Sequence, residues 1–127
     1  MTVATPTYVS MDEYLSTSYE PEVDYVDGTL EDRNVGEWDH SSIQFRVIQL
    51  LMAVGKGLFI RPQLRIKISP TRCRVPDISV YESNPNERVP TVPPLLVVEV
   101  LSPEDRTYRL MRKLRDFHRS GANTFGC

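Results

Sequence analysis

Cysteine is scarce: the 127 residues hold two, Cys73 and Cys127. Neither has a C-x-x-C spacing or a nearby histidine partner, so no zinc site and no disulfide framework is suggested, and reduced thiols are the default. Long apolar runs are missing as well. No stretch approaches the roughly 18 apolar residues of a membrane span. The opening MTVATPTYVS lacks the basic-then-apolar pattern of a secretion signal, and a cytoplasmic chain is expected. There are no repeats and no low-complexity segment. Length, 40% hydrophobic residues and 25% charged residues fit one globular domain over residues 1–127.

Basic residues are nearly absent from the first third of the chain. Residues 1–40 hold ten of the seventeen acids against one base, Arg33. The net charge of −2 by itself argues against a nonspecific nucleic-acid binder, but the distribution says more than the sum. Arg106, Arg109, Arg112, Lys113, Arg115 and Arg119 crowd into residues 105–119. They form either a basic binding face or an ordinary solvated helix face.

The elements follow from capping, turn and periodicity signals. SMDEYLST offers a serine cap before a short helix, and YVDG carries the Asp-Gly mark of a hairpin spanning about residues 22–33. In WDHSSIQFRVIQLLMAV, the spacing of Ile43, Val47, Leu50 and Val54 predicts a helix whose stripe faces the core. Asp39 is placed to cap it, and His40 falls on the side of the stripe. The alternation in LFIRPQLRIKI predicts a half-buried strand with Pro62 at an edge or bulge. A second strand is read from Arg74 to Glu82, with Asp77, Ser79 and Tyr81 on one face. After a proline-rich loop, LLVVEVL is the third and most buried strand; Ser102-Pro103 stops it and a last helix runs from about Asp105 to Ser120.

One residue in that third strand is out of place. A strand apolar on both sides of Glu99 is usually covered on both faces, and a buried carboxylate needs a partner. Asp77 on the neighbouring strand can present a second carboxylate at the same end of the sheet, and paired hard oxygens suit magnesium or manganese. A protonated or arginine-paired Glu99, with Asp77 exposed in a turn, is the plain alternative. The remaining apolar stripes are core.

Pro76-Asp77, then Glu99 in an apolar strand, preceded by a helix and followed by Ser-Pro and a basic helix, resembles the PD-(D/E)XK nuclease superfamily. Within it the chain is similar to the bacterial Uma-two-like restriction endonuclease family. The residues carrying the likeness are Tyr14-Leu15, the hairpin Val23 to Gly28, His40, Pro76-Asp77, Glu99-Val100-Leu101-Ser102-Pro103, and Lys113 with Phe117. The resemblance implies an α/β fold, a central mixed sheet flanked by helices with an added N-terminal helix and hairpin. It implies a Mg2+- or Mn2+-dependent endonuclease acting on DNA, with Asp77 and Glu99 as metal ligands and catalytic acids.

Asp24 and His40 are further candidates. Asp24 stands where the family has glutamate and could equally be a turn-forming aspartate, and His40 could equally be a hydrogen-bonded core residue. Arg106 and Arg109 are the candidate DNA contacts, although Arg109 replaces the family's usual aspartate. The strand lysine of the superfamily is also replaced, by Leu101. The catalytic lysine is expected instead at Lys113, which borders the stripe Leu110, Leu114 and Phe117, with Arg112, Arg115 and Arg119 on the far side. Its alternative is a lysine snorkelling to water. The family pattern continues past Ala122 into a further core strand, whereas this chain ends NTFGC, so a missing closing strand and an exposed sheet edge are expected. A homodimer is expected because two nicks need two sites. The alternative function is an inactive DNA-binding or interaction module, or a nonfunctional fragment.

Overall fold

A computed structural model describes residues 8–33, 37–102 and 107–127. Among these the chain runs α1 (Met11–Leu15), β1 (Asp24–Val26), β2 (Thr29–Glu31), α2 (Trp38–Val54), β3 (Phe59–Pro62), β4 (Ile66–Ser69), β5 (Arg72–Arg74), β6 (Ile78–Tyr81), β7 (Leu96–Glu99), α3 (Thr107–Ser120) and β8 (Asn123–Gly126). The fold is a mixed α/β one, with its strands in two four-stranded sheets rather than one. One sheet has the order β2-β1-β5-β4 and the other β3-β6-β7-β8.

The first sheet grows from local signals. Ser10 caps α1 by accepting the Glu13 N–H at 3.1 Å. The β1–β2 hairpin turns on Asp27 (φ 50°) and Gly28 (φ 91°), the two left-handed positions of a tight two-residue turn. The hairpin does not stand apart as an addition. Its free edge pairs antiparallel with β5, which pairs with β4. Tyr14, Val23, Tyr25 and Cys73 close the core between this sheet and α1, and burial pushes the Cys73 thiol up to about 12.

The second sheet is mixed. β3–β6 and β6–β7 are antiparallel, whereas β7–β8 is parallel. β8 occupies the edge expected to be bare. Its pairing is made by the backbone and needs no apolar side chains: Cys127 N donates to Glu99 O at 2.9 Å, and Asn123 N to Leu95 O at 3.2 Å. Val97 of β7 packs with Ile66, Phe117 and Ala122 in a second core cluster under α3.

Both strands predicted as continuous are divided between the sheets. LFIRPQLRIKI is broken at Gln63, whose φ of 48° turns the chain so that β3 and β4 join different sheets. The Arg74 to Glu82 strand is likewise split into β5 and β6, with Val75-Pro76-Asp77 crossing between them. Proline cannot donate to a ladder, so the crossing falls where pairing is already interrupted. All four residues of β6 are buried, and its predicted two-faced character is lost.

α2 presents a different face from the one its periodicity predicted. Ile43, Leu50 and Val54 are 40%, 63% and 73% exposed, whereas His40 and Gln44 are buried. The helix is apolar on several sides, so spacing does not select a face; the hydrogen bond from Gln44 Nε2 to Asp77 O at 2.9 Å fixes one instead. Asp39 does not cap it: the cap position is Glu37, with no side-chain capping bond. α3 buries Lys113, Asp116 and Phe117.

Candidate active site

The β6–β7 register pairs Ile78 with Val98, and one step further sets Asp77 opposite Glu99. Residues directly opposite in an antiparallel pair share a face, so the two carboxyl groups are neighbours. The contact is fixed by the backbone, because Asp77 Oδ2 accepts the Val100 N–H at 2.7 Å. His40 Nε2, from the start of α2, lies 3.3 Å from the same oxygen, and its Nδ1 is buried without a hydrogen bond. Asp77 Oδ1 accepts Arg33 Nη2 at 2.9 Å.

Glu99 ends β7 and is 5% exposed. Burial pushes its carboxyl from 4.5 up to about 8, opposed by the Lys113 ammonium and reinforced by the negative charge of Asp77. Lys113 Nζ lies 3.3 Å from Glu99 Oε1, within ion-pair distance but outside hydrogen-bond geometry, and that oxygen has no hydrogen-bond partner. Among the described residues no other lysine or arginine is paired with Glu99. The ammonium is therefore turned inward from the edge of the α3 stripe, not snorkelled to water. It donates to Val75 O at 2.8 Å and lies 3.4 Å from Asp24 Oδ2.

Asp24 reaches the same cluster from β1. Its Oδ1 accepts the Val75 N–H at 3.0 Å, and its Oδ2 accepts Arg74 Nη1 at 3.2 Å. Both polar groups of the Val75 peptide thus bond site side chains, one to an acid and one to the lysine. Arg74 is 1% exposed and saturated: Nε and Nη2 donate to Asp116 Oδ2 at 2.9 and 2.7 Å, and Nη1 also donates to Glu31 Oε1 at 2.9 Å. Asp116 sits three residues after Lys113, so the Arg74–Asp116 bond holds α3, and with it Lys113, against β5.

The structure thus brings together Asp77, Glu99, Lys113, Asp24 and His40. Arg109 is exposed on α3, one helical turn before Lys113, and Arg106 lies outside the described residues. Arg112 is not on the far side of its helix: it is half-buried and paired with Glu31. Sequence reasoning missed Arg33, Gln44, Arg74 and Asp116. Asp116 had a legible signal, since it is next to Phe117 and three residues from Lys113, on the buried side of the helix.

Mg2+ characteristically keeps several waters and takes one or two carboxylates from the protein. Asp77 and Glu99 fit that demand, and the buried Glu99 Oε1, with an ionic contact to Lys113 but no hydrogen bond, is an acceptor with capacity to spare. Among the described residues no three His, Cys, Asp or Glu side chains form a complete metal cage. Asp24 is bonded through both oxygens, to the Val75 N–H and to Arg74, as Asp77 is to the Val100 N–H and to Arg33.

Residues 9–125 match a protein family, Uma2, described as “Putative restriction endonuclease”. No curated protein matches the chain. A crystal structure from Anabaena variabilis, described as “a putative nuclease belonging to DUF820”, shares the fold with a TM-score of 0.80 at 22% identity, over 90% of this chain and 70% of that one.

Proposed function

The chain belongs to the Uma2 family, and from that membership and the geometry of its acidic cluster we propose that it is a metal-dependent endonuclease hydrolysing DNA phosphodiester bonds. The observation that carries the proposal is the pairing of Asp77 and Glu99 at the sheet end, with Lys113 Nζ 3.3 Å from Glu99 Oε1. Two carboxylates and a lysine in one buried cluster are groups that phosphodiester hydrolysis uses.

Asp77 and Glu99 would hold Mg2+ or Mn2+. Such an ion polarises a phosphate oxygen and lowers the pKa of a bound water. Lys113, anchored on Val75 O, stands beside Glu99, where its ammonium can steady negative charge as it develops on the phosphate. His40 holds Asp77 from the α2 side, and Asp24 holds Lys113 and the Val75 peptide in place. Arg109, exposed on α3, and Arg106 contact DNA phosphates, so binding weakens as salt rises. One chain cuts one strand; a homodimer supplies the two sites needed to cut a duplex.

Calorimetry with Mn2+ and a supercoiled-plasmid nicking assay test the reading together. Wild type is expected to bind the ion and nick the plasmid only in its presence, and Asp77→Ala to lose both. A folded wild-type protein that binds no Mn2+ would reduce the chain to an inactive binding module. Metal-dependent nicking retained in Glu99→Ala would place the activity elsewhere.

A further inference from the structure

The first forty residues contain one base, and the fold delivers it to the acidic cluster. Arg33 follows β2, and its side chain is 8% exposed. Its Nη2 donates to Asp77 Oδ1 at 2.9 Å, its Nε stands 4.0 Å from Asp24 Oδ1, and that Nε makes no hydrogen bond. A second buried arginine lies close by for comparison. Arg74 is locked by four hydrogen bonds to Asp116, Asp24 and Glu31. Among the described residues Arg33 has one hydrogen bond and one longer ionic contact. One arginine is built in; the other is held loosely at the oxygen that a metal ion would take.

Charge balance leads to the same place. Arg33 and Lys113 already stand beside the three acids, Arg33 against Asp77 and Asp24 and Lys113 against Asp24 and Glu99, and Arg74 adds a third cation at Asp24. A divalent ion seated on Asp77 would lie next to the Arg33 guanidinium in a buried site, where like charges repel strongly. Lys113 is anchored to Val75 O and Arg33 is not, so Arg33 is the cation that can leave. It has somewhere to go. Arg33 also lines an open pocket with Tyr19, Glu20, Leu30 and Asp32, two acidic residues and an aromatic one among them, residue types suited to a guanidinium.

We propose that Arg33 is a resident counter-cation that competes with the metal for Asp77: without metal its guanidinium neutralises the carboxylate, and metal binding requires it to withdraw toward the Glu20–Asp32 pocket. This rests on Asp77 and Glu99 being the metal site. It makes Arg33 the residue that sets the metal affinity of the site, a positioning residue and not a catalytic one.

Titration calorimetry with Mn2+ on wild type and Arg33→Gln is the direct test. The variant is expected to bind roughly tenfold more tightly or better, since one competing unit charge a few ångströms away is removed. Because that variant leaves two acids uncompensated and could fold poorly, a second measurement uses wild type alone: arginine side-chain NMR during titration with Mg2+. The Arg33 Nε resonance is expected to shift and to exchange with water about tenfold faster at saturation, while that of Arg74 stays in place. Equal affinity in the two proteins, or an Arg33 resonance indifferent to saturating Mg2+, would overturn the role of Arg33 and leave the metal site standing. Absence of binding in both proteins would overturn the metal site and this inference with it.

Discussion

Replacing Glu99 with glutamine keeps the shape of the side chain and removes its titration. Burial holds the Glu99 carboxyl near 8 instead of 4.5. Between those two values the folded protein keeps a proton that the unfolded chain has released, so stability falls as pH rises through the window. The slope approaches about 1.4 kcal/mol per pH unit, and the accumulated loss at pH 7 is about 3 kcal/mol. An amide at this position suffers no such loss. Wild type and Glu99→Gln, unfolded by urea without metal at half-unit steps from pH 5 to 8, are therefore expected to diverge. The variant gains roughly 2–3 kcal/mol on wild type between pH 5 and pH 7. The difference between the two proteins cancels the titrating groups that do not interact with Glu99, and any fixed penalty for the amide shifts the whole curve without tilting it. A difference that stays flat across the window would refute a buried, protonated Glu99.

Other outcomes follow from the same geometry. Metal binding at pH 7 is expected to release close to one proton per site, falling toward none above pH 9, as read from calorimetry in buffers of different ionisation enthalpy. Asp116→Asn strips Arg74 of its main partner and is expected to lower stability by about 3–5 kcal/mol in urea unfolding, because it strands a buried guanidinium. Lys113→Ala is expected to retain Mn2+ affinity within a few-fold while plasmid nicking drops by roughly a hundredfold or more.

Local signals were legible in the chain because local physics decides them. The Ser10 cap, the Asp27-Gly28 turn and the inward-facing Lys113 of α3 each depend on residues within a few positions of one another. What escaped was decided at long range. Gln63 and Pro76 divide two apparent strands between two sheets, and alternation alone cannot reveal which neighbour a strand will choose. The face of α2 was misjudged because its apolar residues surround the helix, and Gln44 and His40 select the orientation through Asp77, more than thirty residues away. The acids of the site could be found as oddities in apolar context. Their counter-ions could not, since Arg33 and Arg74 look like any exposed arginine until the fold brings carboxylates to them.

The peptide of Val75, whose N–H meets Asp24 and whose carbonyl meets Lys113, contributes to the cluster without using its side chain. Heredity acts on side chains. Asp24 and Lys113 can each be lost by a single substitution, but the backbone unit that spaces them survives any residue that the buried position of Val75 can hold. Only proline would delete the N–H. The distance between acid and lysine is thus inherited through the path of the chain as well as through its letters. A descendant that had lost either side chain would still carry a backbone group positioned to receive its replacement.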